Sequence, residues 1–238
     1  MEASKDNKTI ALVHYNTPGL TAAAIASFRK QVPGLGRIVV LDNSDTAPFP
    51  PTDGVEVLDN TRGQLIDFAA MIARYPNAVH TSNNHASEKH IASVDYLFDV
   101  CPEGFVLTDS DILACRDFSE LWQPGCAWCG SVERVPPFPF QYPRLLPFLL
   151  WVNVPMLAQY RIRFWHEGKV YKLSHGGRLC RRYYDTGGSL LVDCEGLPHR
   201  EVDIWRYIVH FGGASYKPGK VAERAAQWMQ EHEDCWKP

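Results

Sequence analysis

Apolar positions along the first hundred residues alternate between two rhythms. "TIALVHY" (9–15) is a short, nearly continuous apolar run, closed by Asn16, Thr17, Pro18 and Gly19. "LTAAAIASFRKQV" (20–32) then places its apolar residues at helical spacing. The runs "GRIVVLDNS" (36–44), "VEVLDN" (55–60) and "AVHTS" (78–82) predict three further strands. "QLIDFAAMIARY" (64–75) and "SEKHIASVDYLFDV" (87–100) predict two further helices, the last leading into a fifth strand, "GFVLTDSD" (104–111). Strands this apolar leave no wet face, so the alternation predicts a mostly parallel sheet with helices on both sides.

Beyond residue 115 the rhythm shortens. "GCAWCGSVE" (125–133), "FLLWVNV" (148–154) and "DIWRYIVHF" (203–211) read as strands, with the Pro-rich loop "RVPPFPFQYPRLLP" (134–147) among them. These strands are expected to extend the first sheet in mixed orientation, giving one domain over 1–238. The final "PGKVAERAAQWMQEHEDCW" reads as an amphipathic helix. "LLPFLLWVNVPMLAQY" (145–160) is too short and too interrupted by proline and asparagine for a bilayer span of ~20 residues, and reads instead as a strand followed by a helix.

Composition narrows the function classes. A formal net charge of -3 gives no electrostatic case for nucleic acid. The polar start passes straight into a strand without the pattern of a signal peptide. Seven cysteines at irregular spacing suggest no disulfide framework, so a reducing, cytoplasmic setting is expected. Cys126 and Cys129 form a C-x-x-C without a second pair, which favours core cysteines over structural zinc.

In parallel sheets ligands bind at the carboxyl ends of the strands, which here carry Tyr15, Asn16, Asp42, Asn43, Asp109 and Asp111. Asp109 and Asp111 lie two apart on an extended segment, so their side chains converge while Ser110 faces away. Two converging carboxylates repel unless a cation sits between them, and a hard divalent ion such as Mn2+ or Mg2+ accepts both. Solvated turn residues or helix caps remain the alternative. "YIVHFGGASYKPGK" (207–220) adds His210 at a strand end, a candidate neutral nitrogen ligand, with glycines and Lys217 able to meet phosphate. A strand-end histidine before a glycine turn is the plainer reading.

Taken together, "HYNTPG", "VVLDNS", the Asp-Ser-Asp and the "HFGG" segment resemble the nucleotide-sugar-dependent glycosyltransferases of GT-A fold, of the family 2 type. That resemblance implies a Rossmann-like α/β sheet, with residues 8–115 as the nucleotide-sugar half and 116–238 as the acceptor half. It implies that Tyr15, Asn16 and Asp42 surround base and ribose. Asp109 would lie near ribose and metal, Asp111 would be the principal metal ligand and His210 a further one. His90 would lie near the donor sugar or diphosphate, and Lys217 would pair with the diphosphate. The implied donor is a nucleoside diphosphate sugar, with a uridine diphosphate sugar the first choice, and the acceptor a glycan or lipid-linked sugar.

Inverting transfer also needs a carboxylate base. The chain lacks the family's "E-D" at the expected place and its Q-x-x-R-W, so the base is assigned to Asp185 in "RRYYDTGGSLLVDC", with Asp193, Glu201 and Asp203 in reserve. Retaining transfer, or a non-catalytic module that binds a nucleotide sugar or glycan, are the alternatives. The loop 134–147 is expected to border the acceptor. Tyr142 and Trp151 read as sugar-stacking or core residues, and Phe138, Phe140 and Phe148 as a peripheral membrane contact. A D-x-D phosphatase fits less well, because four strands precede the pair and Leu113 follows it.

Overall fold

The computed structural model describes residues 8–73, 82–134, 143–164, 171–175, 178–183, 190–191, 193–212 and 218–233. Strand β1 (Lys8–His14) leads into helix α1 (Pro18–Gln31), then β2 (Leu35–Asp42), β3 (Glu56–Asp59), α2 (Phe68–Ala73), α3 (Ser82–Val100) and β4 (Phe105–Asp109). Short strands follow: β5 (Ile112–Ala114), β6 (Trp128–Gly130), β7 (Val132–Glu133), β8 (Arg144–Leu145) and β9 (Leu149–Val152). Helix α4 (Val154–Gln159), the hairpin β10 (Tyr171–His175) and β11 (Arg178–Tyr183), β12 (His199–Glu201), β13 (Ile208–His210) and helix α5 (Pro218–Glu231) complete the order.

Seven of these strands form one sheet in the order β12-β6-β9-β4-β1-β2-β3. β1 pairs in parallel with β2 and β4, β2 with β3, and β12 with β6, whereas β9 runs antiparallel to both β4 and β6. Mixed strands of the second half thus extend the first sheet, as expected. Because β9 reverses direction between β4 and β6, the carboxyl ends of β1, β2, β3, β4, β6 and β12 all reach one edge.

Alternation along the strands explains their apolar character. Ala11, Val39, Leu41, Phe105 and Leu107 point to one face, where α3 supplies Ile91, Val94, Leu97 and Phe98. Ile10, Leu12, Ile38, Val40 and Val106 point to the other, where α1 supplies Ala24, Ile25 and Phe28. Side chains two apart share a face, so a strand covered on both sides must be apolar at every position. A third cluster seats Val221 and Ala225 of α5 on Leu20 and Ala23 of α1, with Leu113 and Phe211. Ser27 fastens α1 to β5, its hydroxyl accepting the Ala114 amide at 2.9 Å.

Entry to β4 depends on Gly104, whose φ is +96°. A Cβ there would stand 2.8 Å from both the Trp151 ring and the Val152 carbonyl, so glycine is required by conformation and by space.

Several elements differ from the periodic reading. Residues 78–81 of the expected strand "AVHTS" lie outside the described residues, and Ser82 already opens α3, which therefore starts ahead of Ser87. "DIWRYIVHF" divides into a 3-10 turn (Ile204–Arg206) and the short β13, because the Asp203 side chain accepts the Trp205 amide and caps the turn. Trp151 is a core residue, with its indole nitrogen donating to the Gln123 carbonyl at 3.0 Å. Phe148 is buried as well, not displayed to a membrane. Phe138, Phe140 and Tyr142 lie outside the described residues. Cys129 is buried, and burial pushes its thiol up to about 12, as in a core cysteine. Among the described residues no helix is long and apolar enough to cross a membrane.

Candidate active site

Two pairings bring the principal residues together. β4 ends on Asp109, in register with Val13 of β1. The chain turns through Ser110 and Asp111 into β5, which pairs antiparallel with β13 so that His210 lies opposite Ile112. The ladder continues one step further, the Phe211 amide donating to the Asp111 carbonyl at 3.0 Å. Register alone therefore sets His210 beside Asp111, although 99 positions separate them in "DILAC…YIVH". Its Nε2 is 3.2 Å from Asp111 Oδ1 and 3.7 Å from Asp109 Oδ2. One ligand atom from each of the three lies within 4.8 Å of the others, the one such group of three or more among the described residues.

The electrostatics of the cluster are set by burial and by the mutual charges of its members. Burial pushes the Asp109 carboxyl above its usual range; His90 pulls it back, Asp111 raises it further and His210 opposes the rise. Burial works against the charged form of His210, but the hydrogen bond to Asp111 and the charges of both aspartates prevail and raise its pKa. Two carboxylate oxygens and an imidazole nitrogen in a half-buried setting could hold a divalent cation. The Phe148 ring stacks on the imidazole, centroids 4.1 Å apart, and fixes its plane. His90, on α3, approaches the same cluster with Nε2 3.6 Å from Asp109 Oδ1.

Next along the sheet edge, the β1 and β2 ends build a second constellation. Asn16 adopts a left-handed backbone with φ 55°, which its short polar side chain tolerates. Its Oδ1 accepts the amides of Asp45, Thr46 and Ala47 at 3.2, 3.0 and 3.0 Å and wraps the 45–47 turn around it. Asn16 Nδ2 and the Tyr15 hydroxyl both donate to the Asp45 carboxylate, at 2.5 and 2.9 Å. Those two bonds hold the Asp45 carboxyl below the ordinary range, while burial and the same bond raise the Tyr15 phenol.

Asp42 departs from the expectation of a ligand-facing carboxylate. It is 2% exposed, and its two oxygens accept the Ser44 amide at 2.9 Å and the Phe49 amide at 2.7 Å. Asp42 shapes the turn, and the exposed carboxylate beside Tyr15 and Asn16 belongs to Asp45. Sequence reading passed over Asp45, because only the amide wrap around Asn16 distinguishes it from any other loop aspartate.

Asp185, the first-choice base, and Lys217, the expected diphosphate partner, lie outside the described residues. Asp193 sits between Leu190 and Cys194, both core residues. Glu201 is held by Arg134 through two bonds of 2.9 and 2.7 Å, and Asp203 caps the 3-10 turn.

No family model matches the chain, and no curated protein does. Among solved structures it is similar to the bifunctional WbbM apo structure at 10% identity, covering 68% of this chain and 34% of that one, with a TM-score of 0.41. It is similar to GlyE of Streptococcus pneumoniae TIGR4 at 11% identity, covering 92% and 52%, TM-score 0.45. It is also similar to PaToxG at 14% identity, covering 65% and 58%, TM-score 0.33. All three are glycosyltransferases. The chain spans about a third of WbbM and about half of GlyE.

Proposed function

We propose that the chain is a metal-dependent glycosyltransferase of GT-A type that moves a sugar from a nucleoside diphosphate donor to an acceptor hydroxyl. The observation that carries this reading is the convergence of Asp109, Asp111 and His210, from the end of β4, the following turn and the distant β13, at the carboxyl-end edge of a mostly parallel sheet. Asp111, Asp109 and His210 would hold the cation, Mn2+ or Mg2+, which when bound would supply positive charge against the departing diphosphate. Tyr15, Asn16 and Asp45 form the wall for base and ribose, since the 45–47 turn is preorganised around Asn16. His90 borders the diphosphate side of Asp109.

In the transfer the acceptor oxygen bonds to the anomeric carbon as the bond from that carbon to the diphosphate oxygen breaks. The acceptor proton passes to a carboxylate, Asp185 by first assignment, and the sugar's configuration inverts. A uridine diphosphate sugar is the first-choice donor. Free thiols at Cys101, Cys115, Cys126, Cys129 and Cys194 support a reducing, cytoplasmic setting.

The test is a thermal-shift series with uridine, guanosine and thymidine diphosphate sugars, each with Mn2+ or with EDTA. At a hundred times its dissociation constant a donor adds about 2.7 kcal/mol, or roughly 5–10 °C for a chain of this size. One nucleotide is expected to give that shift with Mn2+, to lose it in EDTA, and to lose it in Asp111→Asn. An equal shift in EDTA or in the variant overturns the metal role, and no shift with any nucleotide overturns the donor site.

A further inference from the structure

The sheet edge that carries the aspartates continues, past β9, to the carboxyl ends of β6 and β12, where a groove of about 470 Å³ opens. That volume lies within the range of about 300–1,000 Å³ usual for small-molecule sites. Its lining includes Glu133, Glu201, Asp203 and Trp205. Trp205 leaves 54% of its surface exposed, one of three large apolar side chains so displayed among the described residues. The capped 3-10 turn holds it there, with Asp203 Oδ1 accepting the Trp205 amide at 3.2 Å. Ser131 makes the groove floor rigid by accepting the Ile204 amide at 3.1 Å while donating to the Val202 carbonyl.

An exposed indole face beside carboxylates matches the two surfaces of a sugar ring. The C–H face of a pyranose is apolar and covers an aromatic plane, while its equatorial hydroxyls donate to carboxylate oxygens. The groove is also close to the proposed reaction centre. Phe148 lies between them, 5.4 Å from the Trp205 ring and 4.1 Å from the His210 ring, centroid to centroid. A chain of two or three sugars seated on Trp205 therefore spans from the groove to the metal cluster.

Charge selects among glycans. The carboxylates of Glu133 and Glu201 are held by Arg144 and Arg134, and no lysine or arginine is among the described lining residues. Those arginines offset the two glutamates, which leaves the Asp203 carboxylate as the charge that an acceptor carboxylate or phosphate would meet in this groove.

We infer that the Trp205 groove is the acceptor subsite and that it takes an uncharged glycan, stacked on Trp205 and hydrogen-bonded to the carboxylates around it. This inference rests on the transferase reading for its purpose, but its binding step is measurable alone. The full chain, labelled with a fluorophore, is passed over a printed array of neutral, sialylated, uronic-acid and phosphorylated glycans, without nucleotide. The best neutral oligosaccharide is then titrated into the wild type, Trp205→Ala and Trp205→Tyr. Neutral glycans are expected to dominate, with affinity falling at least tenfold in Trp205→Ala and recovering in part in Trp205→Tyr. Both variants should unfold at the wild-type temperature and keep the Mn2+-dependent nucleotide shift. Preference for anionic glycans, no retained neutral glycan, or equal affinity in Trp205→Ala overturns the inference. Failure of the nucleotide shift with Trp205-dependent glycan binding intact instead overturns the transferase reading and leaves the subsite standing.

Discussion

His14 shows how one side chain joins fold to site. It is wholly buried at the end of β1, with Nδ1 2.7 Å from the Thr21 hydroxyl and Nε2 3.2 Å from the Ala47 carbonyl. The pair defines a neutral tautomer, in which Nε2 donates to the carbonyl and Nδ1 accepts from the hydroxyl. Desolvation by burial lowers its pKa, with the Ala47 bond and Asp42 opposing. As pH falls from about 6.5, the unfolded chain takes up the proton first, so His14 makes stability fall with pH in that window by at most about 1.4 kcal/mol per unit. His210 has the opposite sign, since its raised folded pKa favours the folded state at low pH, but it is common to wild type and variant. Urea unfolding at pH 7.5 and 5.5 is therefore expected to show a larger loss in the wild type than in His14→Gln; an equal loss would refute the assignment. Tyr15 and Asn16 stand out in the sequence because a polar turn closes an apolar strand. Asp45 does not stand out, since its importance comes from amides that only the folded turn aligns.

Helix α3 is tied down by an ion-pair fork that periodicity does not announce. Arg163, after α4, reaches Asp95 with Nε at 2.9 Å and Asp99 with Nη1 at 2.8 Å, and its guanidinium lies over the Phe98 ring. The fork steadies the helix that brings His90 to Asp109. Arg163 is more than a third exposed, so screening trims its worth, and Arg163→Ala is expected to cost about 1 kcal/mol in chemical denaturation. The Arg163 bond holds the Asp99 carboxyl below its usual range, so this contribution is present above the unfolded pKa near 4 and disappears as pH falls through the folded one. A variant that matches wild type at pH 7 would remove the fork from the account of α3. The strands and α1 could be read from the sequence because burial on two faces imposes apolar runs and a helical period. The turn at 204–206 could not, because a single aspartate capping bond outweighs the β-like composition of "DIWRYIVHF". Likewise the Asp109 and Asp111 pair was visible locally, while the exact neighbour of His210 depended on a β5–β13 register that no local pattern encodes.

Across the whole chain, the sheet arranges its chemistry as a line. From β3 through β1 and β4 the carboxyl-end edge offers the Asp45 wall and then the acid–histidine cluster; from β9 to β12 it offers Phe148 and the Trp205 groove. The sheet's own margins have a different consequence. Its outermost strands, β3 and β12, are only 4 and 3 residues long. β3 carries Glu56 and Asp59, and β12 is His199-Arg200-Glu201, exposed at each position. Short, charged borders discourage a second chain from adding itself strand by strand to the exposed amides and carbonyls. Replacing Arg200 and Glu201 together by valine is expected to leave the core packing in place yet convert a clear concentrated solution into one that scatters light and binds thioflavin T on standing. A double variant that stays clear at the same concentration would show that these two charges are not what keeps that border from recruiting neighbours.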